Sequence, residues 1–172
     1  EATDIKKELY LGLVFDRSSE CIMVVASTEG GMSVEEISQE KPETIIRSKI
    51  EAAVGMQEFQ AREIAFGLGI DSKLISRAAE AIRGCYKAFS ELDATMVEVN
   101  PLVISEQEQV LALDCKMSFD NNALFRRNQV SELRDKTQEN PSEVYASDRG
   151  LNYVSLDGNI GNIINGAGLA MA

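Results

Sequence analysis

The chain has 172 residues, of which 44% are hydrophobic and 26% charged, with a net charge of −11 and a pI near 4.5. That supplies a core for one substantial domain, or for one and a half small ones. Neither nucleic acid nor an anionic membrane suits so acidic a chain without a Lys/Arg cluster, since both require a concentrated positive field.

Other absences narrow the chemistry. With no histidine in the sequence, catalytic triads, imidazole general bases and His-ligated metals are excluded from this chain. No apolar run reaches the roughly 20 residues that span a bilayer, and no signal peptide is evident. Cys21, Cys85 and Cys115 are widely spaced and form no Cys-x-x-Cys. Reduced, buried thiols in a cytosolic or matrix protein fit them better than a disulfide framework or a zinc site. The chain lacks an initiating Met and stops inside an apolar segment, so a piece of a longer protein is expected.

In chain order, Leu9–Phe15 reads as a strand, Asp16–Glu20 as a turn by composition, and Cys21–Ser27 as the returning strand. Both strands are nearly continuous in apolar character, which implies a sheet covered on both faces. Glu29-Gly30-Gly31 breaks the pattern. Ser33-Val34-Glu35-Glu36 is a capping box that opens a short helix ended by Pro42. Ile45–Ile50 reads as a further strand.

A helical repeat runs from Phe59 to Leu68 and is closed by Gly67 and Gly69. Asp71 or Ser72 is expected to cap the next helix. Its Ile75, Ala78, Ala79, Ile82, Tyr86 and Phe89 fall at steps of three and four and form a core stripe, which Asp93 ends.

Thr95–Ile104 and Val110–Lys116 are strands joined by a polar link. Strand side chains repeat every second residue, so Glu98 and Asn100 share one face, and so do Asp114 and Lys116. A turn about Gln107 sets Asn100 opposite Asp114 and Glu98 opposite Lys116, whereas a slip of one residue separates the pairs. Two readings of that face stand: oxygen ligands for a hard cation carrying phosphates, or a solvated face with one Glu–Lys pair.

Phe119–Arg127 is expected to hold a short helix, and Glu139–Glu143 to start another. Leu151–Leu156 and Ile160–Ile164 read as strands around an Asp157-Gly158-Asn159 turn. Asn165-Gly166-Ala167-Gly168 then leads into a helix's first turn. That segment is open to two readings, an anion or carboxylate site at exposed backbone N–H groups, or tight backbone packing alone.

Several strings taken together resemble the β subunit of succinate–CoA ligases: Thr3–Gly12, Asp16–Ser19, Ala26–Gly31, Glu98–Val103, Asn122–Arg126 and Leu156–Met171. They occur in that family's order and spacing and cover essentially the whole chain. The resemblance implies an α+β fold, the second half of an ATP-grasp fold (a mixed or antiparallel sheet with packed helices), plus the start of a CoA-ligase-like α/β domain. It assigns 1–150 to the ATP-grasp portion and 151–172 to the connection and first strand–turn of the second domain. The first ATP-grasp half would precede Glu1, so the isolated piece is expected to bind nucleotide poorly and to be inactive.

The implied activity is an ADP-forming acid–thiol ligase of the tricarboxylic acid cycle. It makes succinyl-CoA from succinate, CoA and ATP (or GTP) through a phosphohistidine on an α subunit. Residue by residue, the resemblance gives Thr3 and Glu8 to the nucleotide and Asn100 and Asp114 to Mg²⁺. Glu98 becomes the acid facing the travelling phosphohistidine, and Asn165 a substrate contact. The implied setting is a heteromer in the bacterial cytoplasm or, in a eukaryote, the mitochondrial matrix.

The strings Ala53–Phe66 and Lys116–Arg127 are similar to those of malate–CoA ligase β subunits, which leaves malate as the alternative substrate. A non-catalytic interaction domain using the acidic surface is a further alternative. Another is an ATP-grasp ligase that activates a carboxylate as acyl phosphate without a histidine-bearing partner.

Overall fold

The β-branched runs of the sequence pair into one antiparallel sheet, seen in a computed structural model that describes residues 4–166. Its strands are β1 (Ile5–Asp16), β2 (Cys21–Ser27), β3 (Ile45–Ile50), β4 (Ala94–Ser105), β5 (Val110–Ala112) and β6 (Cys115–Phe119). The order is β3-β2-β1-β4, with β5 and β6 following one another along the far edge of β4.

The helices begin and end where local chemistry directs. Helix α1 (Val34–Glu40) starts at Ser33, whose hydroxyl accepts from Glu36 N–H while the Glu36 carboxylate accepts from Ser33 N–H, the expected capping box. Helix α2 (Glu58–Gly67) ends in a Schellman motif: Gly69 N–H donates to Phe66 O and Ile70 N–H to Ala65 O. Gly69 takes the left-handed conformation there (φ +62). Lys7 Nζ donates to the free carbonyl of Leu68 at 2.7 Å.

Helix α3 (Ile75–Glu91) buries Ile75, Ala78, Ala79, Ile82 and Phe89, as its spacing predicts, while Tyr86 is only half-buried. Its cap differs from expectation. The N-cap is Leu74, and Asp71 instead closes the preceding turn, accepting Leu74 N–H on its carbonyl and Lys73 N–H on its carboxylate. Helices α2 and α3 cover one face of the sheet. There Leu9, Leu11, Leu13, Val97, Val99 and Leu102 meet Ala61, Ile64, Leu68, Ala78 and Ile82. Each fully buried Leu or Ile contributes about 1.5–3 kcal/mol. Residues 9–13 of β1 are all buried, so the sheet is covered on both faces at that point, as their apolar run implied.

Four further expectations are corrected. The strand expected over Val110–Lys116 is split at Leu113 and Asp114. Pro101 lies opposite Leu113 and accepts Leu113 N–H on its carbonyl, but has no N–H to return. Phe119–Arg127 forms a turn and a short 3₁₀ segment, Leu124–Arg126, after β6 has taken Phe119 as its last residue. Helix α4 (Asn128–Glu132) follows. Of the three thiols, Cys21 is buried, Cys85 is half-buried with its pKa pushed up to about 11 by burial, and Cys115 is exposed.

The last correction falls in a second compact unit, which begins at Ser131. Its α5 (Pro141–Ser147) starts at Asn140, as read from the Asn-Pro loop, with Asn140 Oδ1 accepting from Ser142 N–H. Leu151–Leu156 and Ile160–Ile164 are not strands. Leu156, Ile160 and Ile163 stay exposed, because among the described residues no edge pairs with them. Among the described residues, no helix is long and apolar enough to cross a membrane.

Candidate nucleotide and metal site

The sheet face opposite α2 and α3 gathers the polar groups. Glu98 pairs in register with Lys116, and Asn100 N–H donates to Asp114 O at 3.3 Å. This is the register expected for a turn about Gln107, so all four side chains share one face. Pro101 disturbs the ladders on both sides of β4. Besides splitting β5 from β6, it coincides with a one-residue shift in the β1–β4 register between Leu9 and Leu11. Asn100 therefore sits where the sheet is locally open.

A loop fills part of that opening. Gly31 N–H donates to Asn100 Oδ1 at 2.8 Å, and Asn100 Nδ2 donates to Met32 O at 2.8 Å. Gly30 lies so close to β1 that a Cβ there would meet Leu9 N at 2.5 Å and the Glu8 carbonyl carbon at 2.6 Å. A Cβ on Gly31 (φ +77) would stand 3.0 Å from Glu8 Oε2. The glycine pair thus places Glu8 and Asn100 against one backbone segment. The loop is anchored beyond by an ion pair between Glu29 and Lys41, which raises the Lys41 pKa.

Tyr10 completes the floor. It is buried at 5% exposure, with its hydroxyl over Gly12, the register partner of Glu98. Burial raises its pKa first, and the charges of Glu98 and Glu35 add to the rise. The phenol over Gly12 is thus a neighbour of Glu98 across the β1–β4 ladder, and Lys116 is the register partner of Glu98 on the other side.

The donor set suits a hard divalent cation. Asn100 Oδ1 keeps a second lone pair beyond the one taken by Gly31, and among the described residues the exposed Asp114 carboxylate accepts only Cys115 N–H, at 2.9 Å. Among the described residues, no group of three acidic or cysteine side chains could hold a metal unaided. One amide and one carboxylate fit Mg²⁺, which retains waters and takes further oxygens from phosphates.

Of the remaining expected residues, Thr3 lies outside the described residues. So do Ala167 and Gly168 of the Asn165–Gly168 turn and the helix start expected after it. Asn165 itself lies in a bend of the second unit and is exposed. Sequence reasoning missed Tyr10, Gly12, Gly30, Gly31 and Met32 as parts of the site. The available signals were a Gly-Gly directly after a strand and a Tyr and Gly spaced by two on one strand face.

Comparison with known proteins agrees with this architecture. Residues 1–104 match the ATP-grasp domain, and the chain belongs to that family. Over all 172 residues it is 60% identical to a probable malate–CoA ligase β subunit from Mesorhizobium japonicum, covering 44% of that protein. It is 50% identical, over 45% of the length, to the β subunit of an ADP-forming succinate–CoA ligase from Bacillus subtilis. The chain thus spans a little under half the length of these relatives. In fold it is similar to ATP citrate lyase from Methanothrix soehngenii solved with citrate and coenzyme A. That likeness has a TM-score of 0.64 at 17% identity and covers 85% of this chain and 33% of the lyase.

Proposed function

We propose that the chain is part of the β subunit of an ATP-dependent acid–CoA ligase. Such an enzyme converts succinate, CoA and ATP to succinyl-CoA, ADP and phosphate through a phosphohistidine on an α-type partner. The observation that carries this reading is that Glu8 and Asn100 both lie against Gly31, with Asp114 the backbone partner of Asn100 across the β4 ladder. The relatives named above support it.

Asn100 and Asp114 hold Mg²⁺ in this reading, and Glu8, with Thr3, contacts the nucleotide. When bound, the ion supplies charge neutralisation to the phosphates. One amide oxygen and one carboxylate hold the ion, so the ion site itself sets little negative charge beside an already anionic triphosphate. Phosphoryl transfer depends on position and electrostatics, and this chain contributes no covalent step. Glu98 accepts a hydrogen bond from the incoming imidazole and so orients its other nitrogen toward the γ-phosphate. Having no histidine, the chain leaves the phosphate acceptor to the partner. Residues 1–150 form the ATP-grasp portion. Residues 151–172 begin the CoA-ligase-like domain, where Asn165 meets the dicarboxylate. The setting is the cytoplasm of a bacterium or a mitochondrial matrix.

Malate is the second reading for the acid, favoured by the 60% identity to the malate–CoA ligase relative. The two acids differ by one hydroxyl, which a site built to bond it distinguishes strongly. The test is CoA-dependent ADP release by the full-length protein with its α-type partner, with succinate or malate. Release with succinate supports the first reading and release with malate alone the second. Release with neither overturns both.

A further inference from the structure

We propose that Tyr10 is a positioning residue for Glu98, its hydroxyl fixing the carboxylate that the ligase reading turns toward the incoming imidazole. The inference rests on that reading of Glu98 and adds a residue to it. The geometry comes from the β1–β4 ladder. Gly12 and Glu98 are register partners, and the Cβ positions of such partners lie about 4.5–5.5 Å apart. The Tyr10 ring folds along its own strand over Gly12, so that a Cβ there would stand 2.7 Å from Oη and 3.2 Å from two ring carbons. The absence of a side chain at position 12 lets the hydroxyl occupy the space directly across from Glu98.

Tyr10 is held there by burial, while Glu98 is only half-buried and has more side-chain torsions to fix. A rigid donor beside a flexible acceptor selects one carboxylate orientation, and catalytic geometry tolerates only small errors in it. Burial and the neighbouring Glu98 and Glu35 keep the phenol protonated, so it remains a donor. A phenylalanine preserves the ring and removes only the hydroxyl.

A double-mutant cycle on the full-length chain with its α-type partner tests this, reading the rate of partner-histidine phosphorylation at saturating Mg-ATP. Tyr10→Phe is expected to slow transfer about tenfold, the weight of one hydrogen bond to a charged group, with the KM for ATP unchanged. In a Glu98→Gln background, Tyr10→Phe is expected to add nothing. Gly12→Ala, which displaces the hydroxyl, should slow transfer when Tyr10 is present and not further when it is Phe. A wild-type rate in Tyr10→Phe, or an equal slowing with and without Glu98, overturns the inference and leaves the ligase reading standing. A wild-type rate in Glu98→Gln instead overturns the assigned role of Glu98 itself.

Discussion

Gly31 N–H and Asn100 Oδ1 are 2.8 Å apart, and this bond ties the loop after β2 to the centre of β4 across 69 positions of sequence. It makes Gly31 the backbone position against which both Glu8 and Asn100 lie. Alanine at Gly30 would place a Cβ 2.5 Å from backbone nitrogen, whereas at Gly31 it would meet only a carboxylate oxygen at 3.0 Å, at a positive φ. Gly30→Ala is therefore expected to destabilise more than Gly31→Ala, by about 2 kcal/mol or more against about 1. The urea midpoints of the two variants check the order.

Asn100→Asp separates the scaffolding from the ligand role of this residue. The substitution keeps a metal-binding oxygen but removes the donor to Met32 O and sets a second oxygen against that carbonyl. Stability should fall by about 1–3 kcal/mol. Added Mg²⁺ should recover part of it, as shown by urea unfolding with and without the ion.

At the other end of β4, Asp93 accepts from Arg126 at 2.8 and 3.2 Å and from Arg127 at 2.7 Å. These bonds hold its pKa at about 2, below the ordinary 3.8. A depressed carboxyl stabilises fully above its unfolded value, and that contribution is lost as pH falls toward the folded value. Stability should accordingly decline between about pH 4 and pH 2, and an Asp93→Asn variant should lack that part of the decline. Urea midpoints across the range test it.

Gly84 lies within α3, where an added Cβ meets nothing within 4 Å. Gly84→Ala is expected to stabilise by about 0.5–1 kcal/mol, read as a raised melting temperature.

What the sequence made legible was whatever depends on near neighbours. Ser33 and Glu36 announce a cap and Ile75 to Phe89 a buried stripe, while the link between Ile104 and Val110 left two registers open, of which the ladder takes the one that sets Asn100 beside Asp114. Contacts between distant residues were not legible. Nothing local to Gly30 says it packs on Leu9, and nothing local to Asp93 names two arginines as partners. Pro101 was read only as part of a strand, though its missing N–H marks both neighbouring ladders. The alternation of Leu151–Ile164 has strand character but finds no partner among the described residues. A β pattern needs an edge to become a strand.

The most direct test of the proposed magnesium-dependent phosphoryl site is the Asp114→Ala variant of the full-length chain, combined with its α-type partner. Phosphorylation of the partner's histidine from labelled ATP and Mg²⁺ is the measurement. Removing the only carboxylate of the proposed ion site should reduce that rate on the order of 10²–10³-fold. Phosphorylation at the wild-type rate would contradict the account.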